Sequence, residues 1–160
     1  MKIKALVMDV DGTLTDGGIY IGNDGEIMKR FNVRDGQAIK HKLPQLGILP
    51  IIITGRESRI VSERCKELNI KHLRQNSSNK VQDLLEIVKD ENILLEEVAY
   101  IGDDYNDIEC MKLVGIKACP ADAIMDIQNI VDYLSPSKGG YGAVRDFIDW
   151  IECYEKDINS

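Results

Sequence analysis

Apolar residues form three nearly continuous runs along the chain, at residues 3–10, 48–53 and 98–101. Uninterrupted apolar runs that are rich in β-branched residues are typical of strands covered on both faces, as in a parallel sheet. Two weaker strand candidates lie at residues 116–119 and 131–134. The runs therefore predict a buried, mainly parallel sheet.

Between these runs, apolar residues repeat with the spacing of a helix. The three helical faces are Val61, Cys65 and Leu68; Val81, Leu84, Leu85 and Val88; and Val144, Phe147, Ile148 and Ile151. Strands that alternate with helices indicate βαβ units. We expect an α/β fold with a central parallel sheet flanked by helices.

Residues 15–33 interrupt this alternation. They are rich in turn-forming residues and place Asn23, Asp24 and Gly25 between two short apolar runs, which predicts a β-hairpin. The helix expected next, at residues 37–46, contains Pro44 and should be short or bent, because proline breaks a helix interior. Residues 152–160 are acidic and are expected to form a frayed helix end.

The composition fits an ordinary globular protein, with 44% hydrophobic and 29% charged residues among 160, the length of one domain. The formal net charge of −7 argues against a broad cationic surface for nucleic acids or anionic membranes. The first ten residues do not read as a signal peptide, and no apolar run approaches the roughly 20 residues of a membrane span. We expect a cytoplasmic protein.

The cysteines and histidines add little to this picture. The four cysteines contain no CxxC pair and are expected to be small buried residues in a reducing compartment: Cys65, Cys110, Cys119 and Cys153. His41 and His72 have no partner at metal-ligand spacing and are expected to be solvated or core residues.

Polar residues follow each of the three strongest strands, and ligands of open α/β sheets bind outside the carboxyl ends of strands. The residues at these strand ends are Asp9, Asp11, Gly12 and Thr13; Thr54, Gly55 and Arg56; and Gly102, Asp103 and Asp104. Each motif alone has an ordinary explanation as a turn or a helix cap. Their shared position at one sheet edge favours a common site.

This site would place the carboxylates of Asp9, Asp11 and Asp103 within a few ångströms. Like charges at that distance raise one another's pKa strongly. Mg²⁺ relieves the repulsion, because it prefers a few carboxylates together with water and phosphate oxygens. Lys80, at the start of a predicted helix, would add a positive charge for a phosphate. The residues therefore predict a magnesium-dependent phosphate site.

The same residues resemble the motifs of haloacid dehalogenase-superfamily phosphatases. Asp9, Asp11, Gly12 and Thr13 match the first motif, Thr54 the second, Lys80 the third, and Gly102, Asp103, Asp104 and Asp107 the fourth. The chain more closely resembles the capless 3-deoxy-D-manno-octulosonate 8-phosphate (KDO 8-phosphate) phosphatases, at residues 14–17, 31–36, 53–56, 99–104 and 139–145.

That resemblance implies a Rossmann-like fold over residues 1–160 with a hairpin extension at about residues 15–33 and no cap domain. A cap normally closes over the substrate and excludes water. The resemblance also implies a homotetramer in which the hairpins pair between subunits and neighbours supply the missing wall. The expected substrate is a small-molecule sugar phosphate, with no nucleic acid or membrane partner.

The resemblance assigns a role to each motif residue. Asp9 would attack phosphorus and form an aspartyl-phosphate, while Asp11 would protonate the leaving oxygen and then activate water. Mg²⁺ would be held by Asp9, Asp103 and the backbone carbonyl of Asp11. Thr54 and Lys80 would bind the transferring phosphoryl group. Asp107 would support the metal ligands from behind, and Asp104 would lie outside them or orient the loop.

Substrate binding is predicted at several further residues. Gly55 allows a ligand close to the backbone, and Arg56 and Arg64 are expected to bind the carboxylate of the sugar. In the resembled family an arginine at the position of Arg56 is associated with the KDO-type enzymes and an acidic residue with the nine-carbon relatives, so the resemblance implies KDO 8-phosphate, with a sialic-acid-type nine-carbon sugar 9-phosphate as the alternative. In the resembled family the loop that holds Gly139 and Gly140 reaches a neighbouring active site, where Arg145 contributes or else anchors the last helix.

Other function classes stay open at this point. A phospho-receiver module also uses a carboxylate cluster and Mg²⁺, but its accepting Asp ends the middle strand, where this chain has Thr54. A module that only binds or assembles would not need the intact set of polar residues. A dehalogenase would need neither the acid Asp11 nor the metal.

Overall fold

The computed structural model of the chain describes residues 2–160. Its main element is a sheet of six parallel strands in the order β5–β4–β1–β6–β7–β8. The strands are β1 (Ala5–Met8), β4 (Leu49–Ile53), β5 (His72–Arg74), β6 (Val98–Ile101), β7 (Ile116–Cys119) and β8 (Tyr133–Leu134), while β2 (Tyr20–Gly22) and β3 (Gly25–Met28) form a separate antiparallel hairpin. The predicted parallel α/β fold and the hairpin are confirmed.

Helices cover both faces of the sheet. They are α1 (Val33–Gln37), α2 (Leu43–Leu46), α3 (Arg59–Glu67), α4 (Lys80–Asp90), α5 (Ile108–Met111), α6 (Met125–Gln128) and α7 (Ala143–Ile158), with a π-helical turn at Ala38–Lys42 and 3₁₀ turns at Leu95–Glu97 and Tyr105–Asp107. No helix among residues 2–160 has the length and apolar character that a membrane crossing requires.

The three continuous apolar runs lie side by side at the centre of the sheet, where β1 pairs with β4 on one side and β6 on the other. Successive side chains of a strand point to opposite faces. In β1, Leu6 and Met8 enter the core layer that contains α7, and Ala5 and Val7 enter the layer that contains α4. Two buried faces explain why the run is continuous, and the pairing brings three polar strand ends together.

The segment that contains Pro44 consists of short helical pieces, which agrees with the short helix predicted from the proline. The helical path runs through α1, the π-helical turn and α2, and Pro44 lies in the first turn of α2. Proline has no backbone N–H to donate, and it follows the π-helical turn in which Leu43 N donates to Ala38 O, so the regular α-helical hydrogen-bond pattern is already interrupted there. Gly47 ends α2 with a φ of 71°, a left-handed conformation that glycine adopts without steric cost.

Three expectations about local structure are wrong. Residues 152–158 are not frayed but continue α7, because Glu155 accepts a hydrogen bond from Ile3 N at 2.6 Å and Glu152 pairs with Lys42 at 2.6 Å. Cys153 is exposed on this helix, although the other three cysteines are buried and free. Leu85 is exposed on α4, because the buried side of that helix is formed by Lys80, Leu84, Ile87 and Val88.

Candidate active site

The first polar strand end is a tight loop that begins at Asp9. The N–H groups of Thr13, Leu14 and Thr15 all donate to the carbonyl oxygen of Val10, at 3.1, 2.9 and 3.1 Å, and this folds the chain back on itself. Gly12 has a φ of 89°, and a Cβ at this position would overlap the carboxylate of Asp103. The loop therefore needs glycine to bring the first motif against the fourth.

The end of β6 supplies the facing carboxylate. Asp103 Oδ1 accepts a hydrogen bond from the Thr13 hydroxyl at 2.8 Å, which joins the first and third strand ends. Asp104 is exposed and acts as the N-cap of the following 3₁₀ turn, where its carboxylate accepts from Tyr105 N at 2.7 Å. Asp103 thus points into the site, while Asp104 organises the loop outside it.

Lys80 begins α4 and is buried between two carboxylates. Its Nζ lies 3.1 Å from Asp9 Oδ1 and 2.9 Å from Asp107 Oδ1. The backbone at the helix start is held by the side chain of Asn79, which accepts from Gln82 N. Lys80 therefore reaches the site as predicted, from the first residue of a well-capped helix.

Asp107 is fully buried behind this pair and has four hydrogen-bond donors around it. Oδ1 accepts from the Tyr100 hydroxyl at 2.7 Å and from Lys80, and Oδ2 accepts from the backbone N–H groups of Asp103 and Asp104 at 3.1 and 3.4 Å. These contacts occupy most of its acceptor capacity. They favour a role for Asp107 in holding Lys80 and the loop of Asp103 in place. Tyr100 contributes a hydrogen bond to this arrangement, and the apolar strand pattern alone did not distinguish it from a core residue.

The electrostatics of the site reflect buried negative charge. Burial and the charge of Asp107 raise the pKa of Asp9 to about 6, against the opposing effect of Lys80. Burial, together with the neighbouring Asp9, raises the pKa of Asp103 to about 8. Burial alone would lower the pKa of Lys80, but the charges of Asp9 and Asp107 outweigh it and raise that pKa. One lysine does not neutralise three carboxylates.

This excess negative charge fits a divalent cation. Carboxylate oxygens of Asp9, Asp103 and Asp107 lie within 4.8 Å of one another. Hard oxygen donors of this kind are the ligands that Mg²⁺ takes in proteins. Since hydrogen bonds largely occupy Asp107, Asp9 and Asp103 are the side chains best placed to hold the ion.

The second strand end places Thr54 and Gly55 on the opposite side of the site. Thr54 is buried directly after β4; its N–H donates to Arg74 O at 2.9 Å and its carbonyl accepts from Ser77 N at 3.1 Å. A Cβ at Gly55 would meet only ordinary contacts, the nearest being Asn106 Nδ2 at 3.7 Å. The space above Gly55 is therefore open to a ligand.

Asp11 lies at the rim of the site and has a partner that the sequence did not indicate. Lys29, directly after β3, places its Nζ 2.6 Å from Asp11 Oδ1 and 3.0 Å from Glu26 Oε2. Arg56, half-exposed, lies 4.0 Å from Asp11 Oδ2. Burial by itself would lower the pKa of Lys29, but the hydrogen bonds that Lys29 donates to Asp11 and Glu26, together with their negative charges, outweigh burial and raise that pKa.

Arg64 has no contact with these groups among the described residues. It pairs with Glu67 on its own helix at 2.9 Å, its guanidinium lies 5.4 Å from the ring centre of Phe31, and it fills the space beside Gly36. Its predicted role in substrate binding draws no support from these contacts, because the guanidinium is engaged in packing α3 against the segment around α1.

The predicted C-terminal loop packs against the chain's own first motif. Gly140 N donates to Thr13 O at 3.1 Å, and a Cβ at Gly139 would overlap the carbonyl oxygen of Gly12. Arg145 anchors α7, since its N–H donates to Asp35 Oδ1 at 2.8 Å and its Nε pairs with Asp149 at 2.9 Å. These glycines support the loop that carries Asp9 and Asp11, and contact with a neighbouring subunit stays a prediction.

Comparison with known proteins agrees with this geometry. A family model described as haloacid dehalogenase-like hydrolase matches residues 72–148. The chain is 44% identical to the 3-deoxy-D-manno-octulosonate 8-phosphate phosphatase KdsC of Escherichia coli K12 over 148 residues, which are 92% of this chain and 78% of that protein. The chain belongs to this family of phosphatases. The resemblance seen in the motifs is thereby confirmed.

Solved structures of KDO 8-phosphate phosphatases share the fold. The enzyme of Yersinia pestis superposes with a TM-score of 0.92 at 40% identity, covering 99% of this chain and 85% of that one. The enzyme of Moraxella catarrhalis, solved in complex with a magnesium ion, a phosphate ion and KDO, gives a TM-score of 0.89 at 38% identity, covering 93% of this chain and 85% of that one.

Proposed function

We propose that this chain is a magnesium-dependent phosphomonoesterase that hydrolyses KDO 8-phosphate to KDO and phosphate. The observation that carries the proposal is the buried cluster of Asp9 and Asp103, at the ends of the adjacent strands β1 and β6, with Lys80 from the start of α4. The relatives named above and the phosphatase solved with magnesium, phosphate and KDO support the same substrate.

Asp9 is the proposed nucleophile. Its carboxylate oxygen attacks phosphorus, the new bond gives an aspartyl-phosphate, and the bond from phosphorus to the sugar oxygen breaks. The proton of the Asp11 carboxyl moves to that oxygen and releases the sugar as an alcohol. Asp11 then takes a proton from water, whose oxygen attacks phosphorus and frees phosphate and the Asp9 carboxylate.

The remaining residues hold charge and geometry during these steps. Lys80 and Thr54 bind the transferring phosphoryl oxygens, because positioning and electrostatic stabilisation supply most of the catalysis in phosphoryl transfer. Asp9, Asp103 and the backbone carbonyl of Asp11 would hold Mg²⁺, which neutralises charge on the phosphate when bound. Asp107 keeps Lys80 and the Asp103 loop in place through its four hydrogen bonds.

The sugar carboxylate is proposed to bind Arg56. The Arg56 side chain is 52% exposed beside the rim residue Asp11, and its planar guanidinium suits a carboxylate. Gly55 next to it keeps the approach open. Gly139 and Gly140 are proposed to shape this region through the first-motif loop, and Arg64 to act by packing.

We further propose that the working form is a homotetramer in the cytoplasm, each subunit being one domain over residues 1–160. The segment from the hairpin to the start of α1 exposes several apolar side chains: Ile19, Tyr20, Ile21, Ile27, Met28 and Val33. Several exposed apolar side chains grouped in one segment are typical of a protein interface. Three buried free cysteines suit a reducing compartment.

The test is a phosphate-release assay with Mg²⁺ on KDO 8-phosphate, a nine-carbon 2-keto sugar acid 9-phosphate and glucose 6-phosphate. We expect the highest kcat/KM on KDO 8-phosphate, loss of turnover with EDTA and its return with added Mg²⁺. Asp9→Asn should lower kcat by at least about 10³-fold with unchanged circular dichroism. Preference for the nine-carbon substrate would replace the sugar assignment, and normal turnover by Asp9→Asn would remove the nucleophile assignment.

A further inference from the structure

Four charged side chains form a network that joins the hairpin to the rim of the active site. Lys29 Nζ lies 2.6 Å from Asp11 Oδ1 and 3.0 Å from Glu26 Oε2. Arg56 closes the network from the other side, at 4.0 Å from Asp11 and 3.9 Å from Glu26. Two positive and two negative groups balance one another within this network.

Lys29 is buried far more deeply than an ordinary surface lysine, with 2% of its side chain exposed. A buried ammonium is costly unless it is paired. It has three N–H donors, and the carboxylates of Asp11 and Glu26 are the acceptors that the fold supplies. The antiparallel pairing of β2 with β3 carries the backbone of Lys29 to the rim, so the hairpin delivers this charge to Asp11.

Glu26 is held independently of Asp11. Its Oε1 accepts a hydrogen bond from the Ser58 hydroxyl at 2.6 Å, and Ser58 N donates to Gln75 Oε1 at 2.7 Å. Ser58 is buried and precedes α3. Glu26 therefore ties the hairpin to the segment that follows β4, and this tie sets the position of Lys29.

We propose that Lys29 is a positioning residue for Asp11, and that Glu26 holds Lys29 in place. The proposal rests on the proposed phosphatase function. A general acid acts only within hydrogen-bond reach of the oxygen that it protonates. The contact of Lys29 with Oδ1 fixes the orientation of a carboxyl group that is 19% exposed. Oδ2 lies 4.0 Å from Arg56, beyond hydrogen-bond distance, and can therefore form a hydrogen bond to the leaving oxygen.

Proton transfer stays between Asp11 and the leaving oxygen, and Lys29 neither gives nor takes a proton. Its effect must therefore depend on how much the leaving group needs an acid. An alkoxide leaving from a sugar phosphate needs the proton, whereas p-nitrophenolate leaves without one. A residue that only stabilises the fold or binds the phosphoryl group would affect both substrates alike. A residue that only holds Arg56 against the sugar carboxylate would raise KM for KDO 8-phosphate and leave kcat unchanged.

The experiment compares kcat of Lys29→Met, at saturating substrate, on KDO 8-phosphate and on p-nitrophenyl phosphate. We expect a loss of about 10²-fold on KDO 8-phosphate and of no more than about 3-fold on the aryl ester, since misplacing a catalytic group by about 1 Å costs that much. Lys71→Met removes an exposed lysine outside the site and should leave both values within about 2-fold of wild type.

Glu26→Gln keeps an acceptor for Ser58 but weakens the hold on Lys29, so it should show the same selectivity with a smaller loss of about 10-fold. If Lys29→Met does not fold, the Glu26→Gln variant alone tests the proposal. Equal losses on both substrates, or no loss on KDO 8-phosphate, would overturn the proposal while leaving the phosphatase function standing. A wild-type chain that hydrolyses neither substrate would overturn the proposed function and, with it, this role.

Discussion

Lys80 Nζ lies 3.1 Å from Asp9 Oδ1, and both side chains are almost entirely buried. The contact places a fixed positive charge beside the proposed nucleophile, and both groups are shielded from solvent. A second carboxylate, Asp107, lies 2.9 Å away on the other side of the ammonium. Lys80 therefore compensates buried negative charge in the free protein and can bind a phosphoryl oxygen during the reaction.

Lys80→Met should lower both stability and activity. Removal of one partner from a buried ion pair costs about 3–5 kcal/mol, because the remaining charge loses its compensation. We expect a loss of that size in urea unfolding with EDTA present, and a fall in kcat of about 10²-fold or more. Lys89→Met, an exposed position on the same helix, is the matched control. Unchanged unfolding for Lys80→Met would contradict the role of the buried pair.

A comparison of Gly12→Ala with Gly47→Ala should separate the effect of backbone strain from the effect of a side chain that enters the site. Gly12 and Gly47 both have a positive φ, of 89° and 71°. Alanine should cost each about 1–2 kcal/mol of stability. A Cβ at Gly12 overlaps Asp103, whereas a Cβ at Gly47 meets only the tip of Lys2 at 3.8 Å. Calorimetric titration should therefore show weaker Mg²⁺ binding for Gly12→Ala alone, and equal Mg²⁺ affinity of the two variants would disprove the close packing.

Asp35→Asn should stabilise the protein at neutral and higher pH. Burial raises the pKa of Asp35 to about 6, and Asp146 adds to the shift, while the Arg145 N–H, Arg64 and the charge of Arg145 oppose it. A carboxyl with a raised pKa favours the folded state below the unfolded value of 3.8, and this advantage disappears as the pH rises through about 6. Above that pH, the ionised group costs the fold about 3 kcal/mol at most.

The measurement for Asp35 is the free energy of unfolding in urea at fixed protein concentration, from about pH 4 to pH 8. Asparagine keeps the acceptor for Arg145 N, so the free energy of unfolding of the variant should increase relative to that of the wild type as the pH rises. Asp157→Asn changes an exposed carboxylate on α7 and should show no such trend. A stability difference that does not vary with pH would remove the buried charge of Asp35 as its cause.

Ile27→Glu should dissociate the proposed tetramer. Ile27 and Leu94 are both 59% exposed in a single chain, but only Ile27 belongs to the apolar hairpin. Glutamate on a buried interface is strongly unfavourable, because the charge loses its water. Light scattering should show smaller particles for Ile27→Glu and an unchanged mass for Leu94→Glu. A wild-type chain that is monomeric and fully active would exclude the tetramer as the working form.

The sequence by itself determined the centre of the fold and the main site. Continuous apolar runs can be satisfied only where both faces of a strand are buried, so β1, β4 and β6 were predictable. Their polar ends had to meet at one sheet edge, which predicted the grouping of Asp9, Thr54 and Asp103. Even Pro44 gave a correct local signal, because the effect of proline on a helix is intrinsic to the residue.

Only the tertiary structure decided which distant charges meet. Lys29 belongs to a hairpin outside the main sheet, and no periodic pattern places it beside Asp11. Arg64 was expected in the site because its residue type suits a carboxylate, but packing against Phe31 and Glu67 holds it elsewhere. Side-chain contacts across the chain depend on how separate elements dock, whereas periodicity records only which face of one element is buried.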